Sequence, residues 1–528
     1  MTTQRLLLTT RGKAAHAGLA PEEGISAILE MAYVLQAALL LDSENHRVTV
    51  ETVRGGMRPN IIAPQCQAWI RVDAVNNGEI DAFRAALHAL PASVPGASLV
   101  VASVDAAAGR DIAGDQAGTT TVNAAPWSLP PALRRRYVAV PPLPTRVGAL
   151  HTQPAADEIS AHLAGQQAEM LACLTELARL ETPSSQPETQ RAAFDLLAHE
   201  LAVAGYDSTW WPGRRNGGLL LAQPRTRRRG APLQLLLGHC DTVWPVGTLA
   251  SMPLLVRDGR LSGPGVFDMK AGLVQAIYAL RALSALGLRP PATPVLLVNS
   301  DEEIGSGEST RTIERLARIA CRAFVMEPAL GPAGKLKTAR KGVGQFRITL
   351  AATQAAPNTV ATELARLIRA LFDLNDLPSG VTVNVGVVAG DGAGQLSNAE
   401  MVVDVRVPDA EATRRVEAAV AALRSAIPSV SLEITGRVSR LPLERTARNQ
   451  TLWRTAQRLG SELGLALDEG AAGGGSDGNT TSQYTATLDG LGAVGDGAHA
   501  LHEHVVIADM PRRAALLALL LLSPVAPP

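Results

Sequence analysis

The sequence predicts an α/β protein of several domains, and three observations carry that expectation. Helix-like and strand-like stretches alternate along most of the chain. Apolar runs in the second half stop at acidic or histidine residues, as in a buried sheet whose strand ends carry chemistry. A segment near the N-terminus also recurs in the second half. At 528 residues the chain exceeds one ordinary core, and length alone argues for about three domains.

Residues 14 to 92 justify the first unit. "GISAILEMAYVLQAALLL" has helical periodicity, "RVTVETV" and "QAWIRVDAV" read as strands, and "GEIDAFRAALHAL" is helical again. This small α/β unit spans 1–104. Residues 105–156 lose all periodicity to Gly, Pro and short polar residues and read as a linker. A second organised region opens with the helix "AGQQAEMLACLTELARLE" and continues with "PLQLLLGHCDTV", "PATPVLLVNSDEE" and "CRAFVMEP", each an apolar run ending at ionisable residues. Helices lie between them.

Composition narrows the partners. Lys plus Arg and Asp plus Glu both number 49, so no bulk attraction to nucleic acid or an anionic membrane is implied. The four cysteines, Cys66, Cys173, Cys240 and Cys321, form no CxxC pair or disulfide framework, which fits a reducing compartment. "AALLALLLLS" falls short of the ~20 residues that span a bilayer and reads as a buried helix. The expectation is a cytoplasmic protein without an export signal.

The repeat joins the two regions. "ILEMAYVLQAALLLDSENHRVTV" resembles "ATELARLIRALFDLNDLPSGVTV", and Glu30 to Val48 spans 18 positions, as does Glu363 to Val381. Upstream the copies diverge: the second lacks about nine residues where the first carries "HAG". That segment, "GKAAHAGLAPEEG", presents His16 between small residues in a turn.

Chemistry concentrates in the second region. In "GHCDT", His239 and Asp241 are two apart at a strand end and project to one side. One can bind a metal while the other orients it; a buried structural His–Asp pair fits the same spacing. "GPGVFDMKAG" puts Asp268 in a Gly-rich loop before a helix, "DEEIGSGES" places Asp301, Glu302 and Glu303 at another strand end, and "MEP" does so for Glu327. So many buried carboxylates need cations. "GLGAVGDGAHALHEHV" adds His499, with His502 and His504 close behind as bystanders on a solvated stretch. Histidines and carboxylates without cysteine suit zinc or a similar divalent ion, with oxygen donors enough for two ions bridged by one carboxylate. Cys240, between two such residues, is expected to point into the core.

Residues 157–528 resemble the M20 family of metallopeptidases through "GHCDTV", "GPGVFDMKAG", "NSDEEIGS", "MEP", "RKGVG", "SRLPLE", "GGGSDG" and "GAH", in that order. The resemblance implies a di-metal α/β domain with a mixed sheet flanked by helices, over 157–343 and 441–528. A ferredoxin-like lid would be inserted at 344–440. It implies two Zn2+ ions, with Co2+ or Mn2+ as substitutes, held by His239, Glu303, Glu327 and His499 and bridged by Asp268. Asp241 would orient His239 and Glu302 would be the general base, with the two adjacent glutamates diverging at an extended strand end. A cis peptide is expected at Asp268–Met269. Arg440 would grip a substrate carboxylate, with a solvated surface arginine as the alternative because Leu441 replaces the family's first proline. Gly474 and Gly475 would let substrate approach the backbone, with an idle flexible turn as the alternative.

The family's lid carries a histidine in an "HAG" motif, usually offered across a dimer to stabilise the oxyanion, and an asparagine in a "GG…N" segment that holds substrate. Here the inserted lid has "AATQAAPN" and "GDGAGQLSN" in those places, while the N-terminal region has His16 and, in "GGMRPNIIAP", Asn60. The N-terminal region thus resembles a second, partial lid. It either docks over the metal site, within the chain or across a homodimer, or is a fusion relic. The activity implied is cleavage of an amide or peptide bond next to a free carboxylate, nearest to the glutamate carboxypeptidase branch, on a small peptide. N-acyl amino acid deacylation is the enzymatic alternative, and a catalytically impaired metal-binding or assembly module is the alternative of another class.

Overall fold

In the computed structural model, which describes residues 1–104, 153–226, 230–354 and 356–525, the N-terminal alternation folds as a complete α/β unit. Strand β1 (Thr2–Arg11) leads to helix α1 (Ala27–Leu40), strands β2 (His46–Gly55) and β3 (Gln65–Ala74), helix α2 (Asn77–His88) and strand β4 (Ser98–Val104). Both helices start where a side chain caps them: Ser26 accepts from the Leu29 N–H and Asn76 from the Glu79 N–H. The expectation of a partial lid is corrected, because all four strands and both helices of a β-α-β-β-α-β unit are present. Of the expected linker, 105–152 lies outside the described residues, and 153–156 already belong to a helix.

The next stretch holds α3 (Gln153–Gly165), α4 (Gln167–Arg179), α5 (Arg191–Val203), β5 (Tyr206–Trp211), β6 (Leu219–Pro224) and β7 (Leu233–His239). The single helix read from "AGQQAEMLACLTELARLE" is broken at Gln166, whose φ of -99° and ψ of 3° leave the helical region. After β8 (Leu255–Arg257) and β9 (Arg260–Ser262) come α6 (Ala271–Ala285), β10 (Thr293–Asn299), α7 (Thr310–Ile319), β11 (Ala320–Val325) and β12 (Leu336–Arg340). The inserted lid runs β13 (Gly342–Ala352), α8 (Thr359–Phe372), β14 (Thr382–Asp391), β15 (Asn398–Val407), α9 (Ala410–Ala422) and β16 (Val430–Arg440). The chain closes with α10 (Ala447–Glu462), β17 (Glu469–Ala472), α11 (Asp477–Thr481), β18 (Ala486–Leu488), β19 (Gly495–Asp496), β20 (His504–Val506) and α12 (Asp509–Leu522).

The larger domain is built on a six-stranded mixed sheet, β18-β11-β7-β10-β6-β5. Strands β18, β11, β7 and β10 are parallel to one another, β6 pairs antiparallel with β10, and the edge strand β5 pairs antiparallel with β6. Helices α6 and α12 are buried and lie in one core with this sheet; the apolar C-terminal run is the buried helix α12. Among the described residues no helix is long and apolar enough to cross a membrane.

The two lids are not separate bodies. Their strands form one eight-stranded sheet, β16-β13-β15-β14-β2-β3-β1-β4, joined where β14 pairs with β2, and their apolar residues form one core. Glu30 and Glu363, equivalent in the repeat, are both buried and do the same work. Glu30 accepts from Ser93 and Val94 N–H, and Glu363 from Ala426 N–H, each tying down the segment before the last strand of its own lid.

Candidate metal centre

Parallel strands leave a crevice outside their carboxyl ends, and the chemistry-bearing residues stand there. His239 ends β7, fully buried. Its Nδ1 lies 3.0 Å from the Asp241 carbonyl oxygen and 3.4 Å from its Oδ1. The Nε2 atom is left facing Asp268 Oδ1 at 3.5 Å and Glu327 Oε1 at 3.4 Å. On the opposite side His499, at φ 61° in its Gly-rich loop, points Nε2 to Asp268 Oδ2 at 3.2 Å and Glu303 Oε2 at 3.1 Å.

Asp268 therefore gives one oxygen to each histidine, and each histidine has a second carboxylate of its own. Asp268 Oδ1 is buried without a hydrogen-bond partner, a costly state for a carboxylate oxygen unless a cation meets it. Ligand atoms of His239, Asp268 and Glu303, and of His239, Glu302 and Glu327, lie within 4.8 Å of one another. Glu303 is within reach of either centre, and its shortest contact is to His499. The donor set fits a pair of divalent ions.

The loop that aims Asp268 is held by a residue for which the sequence offers no signal. Glu503 is fully buried, and its carboxylate accepts from the N–H groups of Gly265, Phe267 and Asp268 at 2.9–3.0 Å and from the Trp244 indole at 2.8 Å. The Asp268–Met269 peptide is cis, as expected. Glu302 and Glu303 depart from expectation: they sit in a 3-10 turn, Glu302–Ile304, rather than at an extended strand end. The turn is pinned by Asp241, whose carboxylate accepts from the Glu302 and Glu303 N–H groups and from Ser184 Oγ. Asp301 accepts from Glu308 N, Ser309 N and Ser309 Oγ at the start of α7 and takes no part in the cluster.

Electrostatics bear the mark of a cation site. Burial disfavours a charge on either imidazole, yet the facing carboxylates raise both, His499 to about 11 and His239 well above the ordinary range. A metal ligates only the neutral ring, so each ion must displace these protons. Zinc affinity is expected to rise with pH, and calorimetry in buffers of different ionisation enthalpy should register proton release. Pure uptake without release would contradict the assignment. Burial raises Glu302 and Arg440 pulls it back, leaving it above a usual carboxylate in the metal-free protein. Burial opposes the charge on Glu327 too, but Arg340, His239 and Lys337 outweigh it and hold that carboxyl low.

The sequence profile of peptidase family M20/M25/M40 matches residues 235–523, more than half of the chain. The chain belongs to this family. A second profile, the peptidase dimerisation domain, matches residues 4–96, the N-terminal lid. Carboxypeptidase G2 of Pseudomonas sp. (strain RS-16) is 27% identical over 383 residues, covering 68% of this chain and 89% of that protein. Succinyl-diaminopimelate desuccinylase of Xanthomonas campestris pv. campestris (strain 8004) is 27% identical over 324 residues, covering 55% of this chain and 83% of that protein. Among solved structures, aminopeptidase PepT from Bacillus cereus superposes with a TM-score of 0.54 at 17% identity, over 67% of this chain and 98% of that one. An M20 family metallo-carboxypeptidase from Sulfolobus solfataricus gives 0.53 at 17% identity, over 67% and 99%. The fold is shared, and this M20 chain is a metal-dependent hydrolase of amide bonds.

The remaining predicted residues fall around this M20 centre. Arg440 is not a free surface group: Nη1 donates to Glu302 Oε1 at 2.5 Å, and Nη2 to Glu302 O at 3.1 Å and Ser306 Oγ at 2.7 Å, with Asp477 beside it. Only its Nε is buried and unpartnered. Gly474 and Gly475 present their carbonyls to Arg340 Nη1, and a Cβ on Gly474 would meet open space. His502 is exposed, His504 Nδ1 turns to the His502 carbonyl, and Cys240 is fully buried. His16 is half-buried at the rim, where the charges of Arg406 and Asp404 of the inserted lid and of His499 all reach it.

Arg340, in the motif "RKGVG", has a role that is not readable from the sequence because Asp489 and Gly474 lie 149 and 134 positions away. It grips Asp489 at 2.7 Å and Glu327 at 2.8 Å besides the glycine loop, and is 4% exposed. Arg340→Ala would leave Asp489 buried without its ion pair and Glu327 with only His239 and the more distant Lys337, a loss of about 3–5 kcal/mol to be read by urea unfolding. Weakened support of Glu327 should also lower zinc affinity by about 10- to 100-fold.

Proposed function

We propose that the chain is a di-zinc hydrolase that cleaves an amide or peptide bond next to a free carboxylate, on a glutamate-carboxypeptidase pattern. The observation that carries this reading is Glu302, a buried carboxylate beside two donor sets, His239, Glu327 and Asp268 on one side and His499, Glu303 and Asp268 on the other, each of three residues without it. A structural metal site needs no such spare group. The imidazole and carboxylate donors, with no cysteine, favour zinc, and Co2+ or Mn2+ would use the same atoms. When bound, two divalent ions supply a nucleophile at neutral pH and polarise the carbonyl under attack.

The chain's own residues do the rest. Glu302 takes the proton of the attacking water and delivers it to the leaving amine nitrogen. Arg440 holds Glu302 by two contacts, and its planar guanidinium is the group suited to a substrate carboxylate arriving beside that glutamate. Gly474 and Gly475, with no side chains over the cleft, admit an extended substrate. Four free cysteines support the cytoplasmic reading. The dimerisation-domain match over 4–96 supports the reading of this lid as one that pairs with another lid.

The test is a pair of assays on the full chain with metal analysis. Turnover of a C-terminal glutamyl peptide should exceed that of N-succinyl or N-acetyl amino acids, and chelation should abolish it. The reverse preference would favour the N-acyl amino acid deacylase that the desuccinylase relatives keep in view. A chain holding two metals and hydrolysing neither would be the impaired binding module.

A further inference from the structure

We propose that the N-terminal lid is the inserted lid's built-in partner: it fills the lid-to-lid interface of its own chain and completes the single active site with His16 and Asn60, so that the enzyme works as a monomer. The catalytic half of this rests on the function proposed above; the pairing half does not.

The pairing is that of a two-fold dimer. Where β2 meets β14, Gly55 stands opposite Val388, and these positions are 333 apart, the offset that also relates Glu30 to Glu363 and Val48 to Val381. Gln36 of α1 and Arg369 of α8 share the same offset, and Arg369 Nη1 donates to Gln36 Oε1. Equivalent residues meet at two places, on the sheet and on the helices, so a local two-fold axis runs between the lids. An interface in which each patch meets its own counterpart is the isologous contact of symmetric dimers, here made inside one chain.

Function is divided unequally across that axis. Residues of the inserted lid hold the first lid's Asn60 loop and its strand β2. Asn384 Nδ2 donates to the carbonyls of Pro59 and Ile61 on either side of Asn60, at 2.8 and 3.2 Å. Asn358 donates to Val48 O and accepts from Val50 N–H. A Cβ on Gly386 would lie 2.2 Å from Pro59 O, and one on Gly56, at φ 72°, would lie 1.9 Å from Gly386 O, so both must be glycine for the backbones to close.

The first lid also reaches the metal domain. Gly18 and Gly473 touch backbone to backbone, and a Cβ on Gly473 would stand 2.3 Å from Gly18 O. Between these anchors His16 Nδ1 accepts from the Gly18 and Leu19 N–H groups, at 3.1 and 3.2 Å. That leaves the proton of the neutral ring on Nε2, 3.4 Å from Asn60 Nδ2, so the two groups are neighbouring N–H donors rather than partners in a hydrogen bond. A neutral imidazole donor held beside an amide can stabilise a developing oxyanion. Covalent attachment makes the pairing of the lids an intramolecular event, and a surface so occupied is closed to a second copy.

Two experiments on the full chain decide the matter. Gln36→Cys with Arg369→Cys, in a Cys321→Ala background, is treated with a short bismaleimide and weighed by mass spectrometry. A linked product at the mass of one chain, 55.2 kDa unmodified, is expected; a product at twice that mass would overturn the proposal. His16→Ala and Glu302→Gln chains, each impaired alone, are then mixed and co-expressed. No recovery is expected, because each chain serves only its own site; recovery toward a quarter of wild-type turnover would overturn pairing in cis. A wild-type chain inactive on every substrate would remove the proposed function and leave the cross-link to decide the pairing.

Discussion

Glu302→Gln is expected to lower kcat by about 10²- to 10⁴-fold, the usual contribution of a general base, while two metals per chain remain bound. Position is the reason. Glu302 lies beside the shell formed by His239, Asp268, Glu327, Glu303 and His499, its carboxylate is tied to Arg440, and its backbone N–H is fixed by Asp241. The amide keeps the shape and the Arg440 neighbourhood but cannot accept a proton. Kinetics and metal content must be measured on one preparation. Loss of one metal along with activity would mean that Glu302 is a ligand and would sink the base assignment.

His16→Ala is expected to cut kcat by about 10²- to 10³-fold, or roughly 2.7–4 kcal/mol in barrier, with little change in KM. Because His16 Nδ1 also anchors the Gly18 and Leu19 N–H groups, the alanine variant could act by loosening the loop. His16→Asn separates the two effects: its amide oxygen can still receive those N–H groups, yet it cannot place a donor where Nε2 stands. A similar kcat loss in both variants points to the donor. Unchanged turnover in the alanine variant would make the first lid an ornament.

The candidate metal shell was legible because His239, Glu303 and Glu327 stand just past apolar runs, where a carboxylate or imidazole is driven into burial and needs a cation to offset the lost hydration, and because Asp268 and His499 stand in Gly-rich loops. The two-lid repeat was legible in Glu30, Val48 and their counterparts. What escaped was whatever acts through the main chain or between distant segments. Glu503 does its work on three backbone N–H groups of the Asp268 loop, and no spacing reveals that. Arg340 joins Glu327, 13 positions before it, to Asp489 and Gly474, which lie 149 and 134 positions beyond it. The 3-10 turn at Glu302 owes its shape to Asp241 rather than to its own residues. The join between β2 and β14 is a meeting of two edge strands separated by most of the chain, so local patterning left the lids as separate units.

The contact between Gln36 and Arg369 has a further meaning. In a symmetric pair made from two identical inserted lids, each residue on the axis must face itself, and Arg369 would confront a second Arg369. Two guanidinium groups in that position repel. Duplication within one chain lifts the demand for self-complementarity, so the two sides are free to diverge into a matched pair of unlike residues. An arginine opposite a glutamine is what such release permits, and it discriminates against the wrong partner as well as favouring the right one.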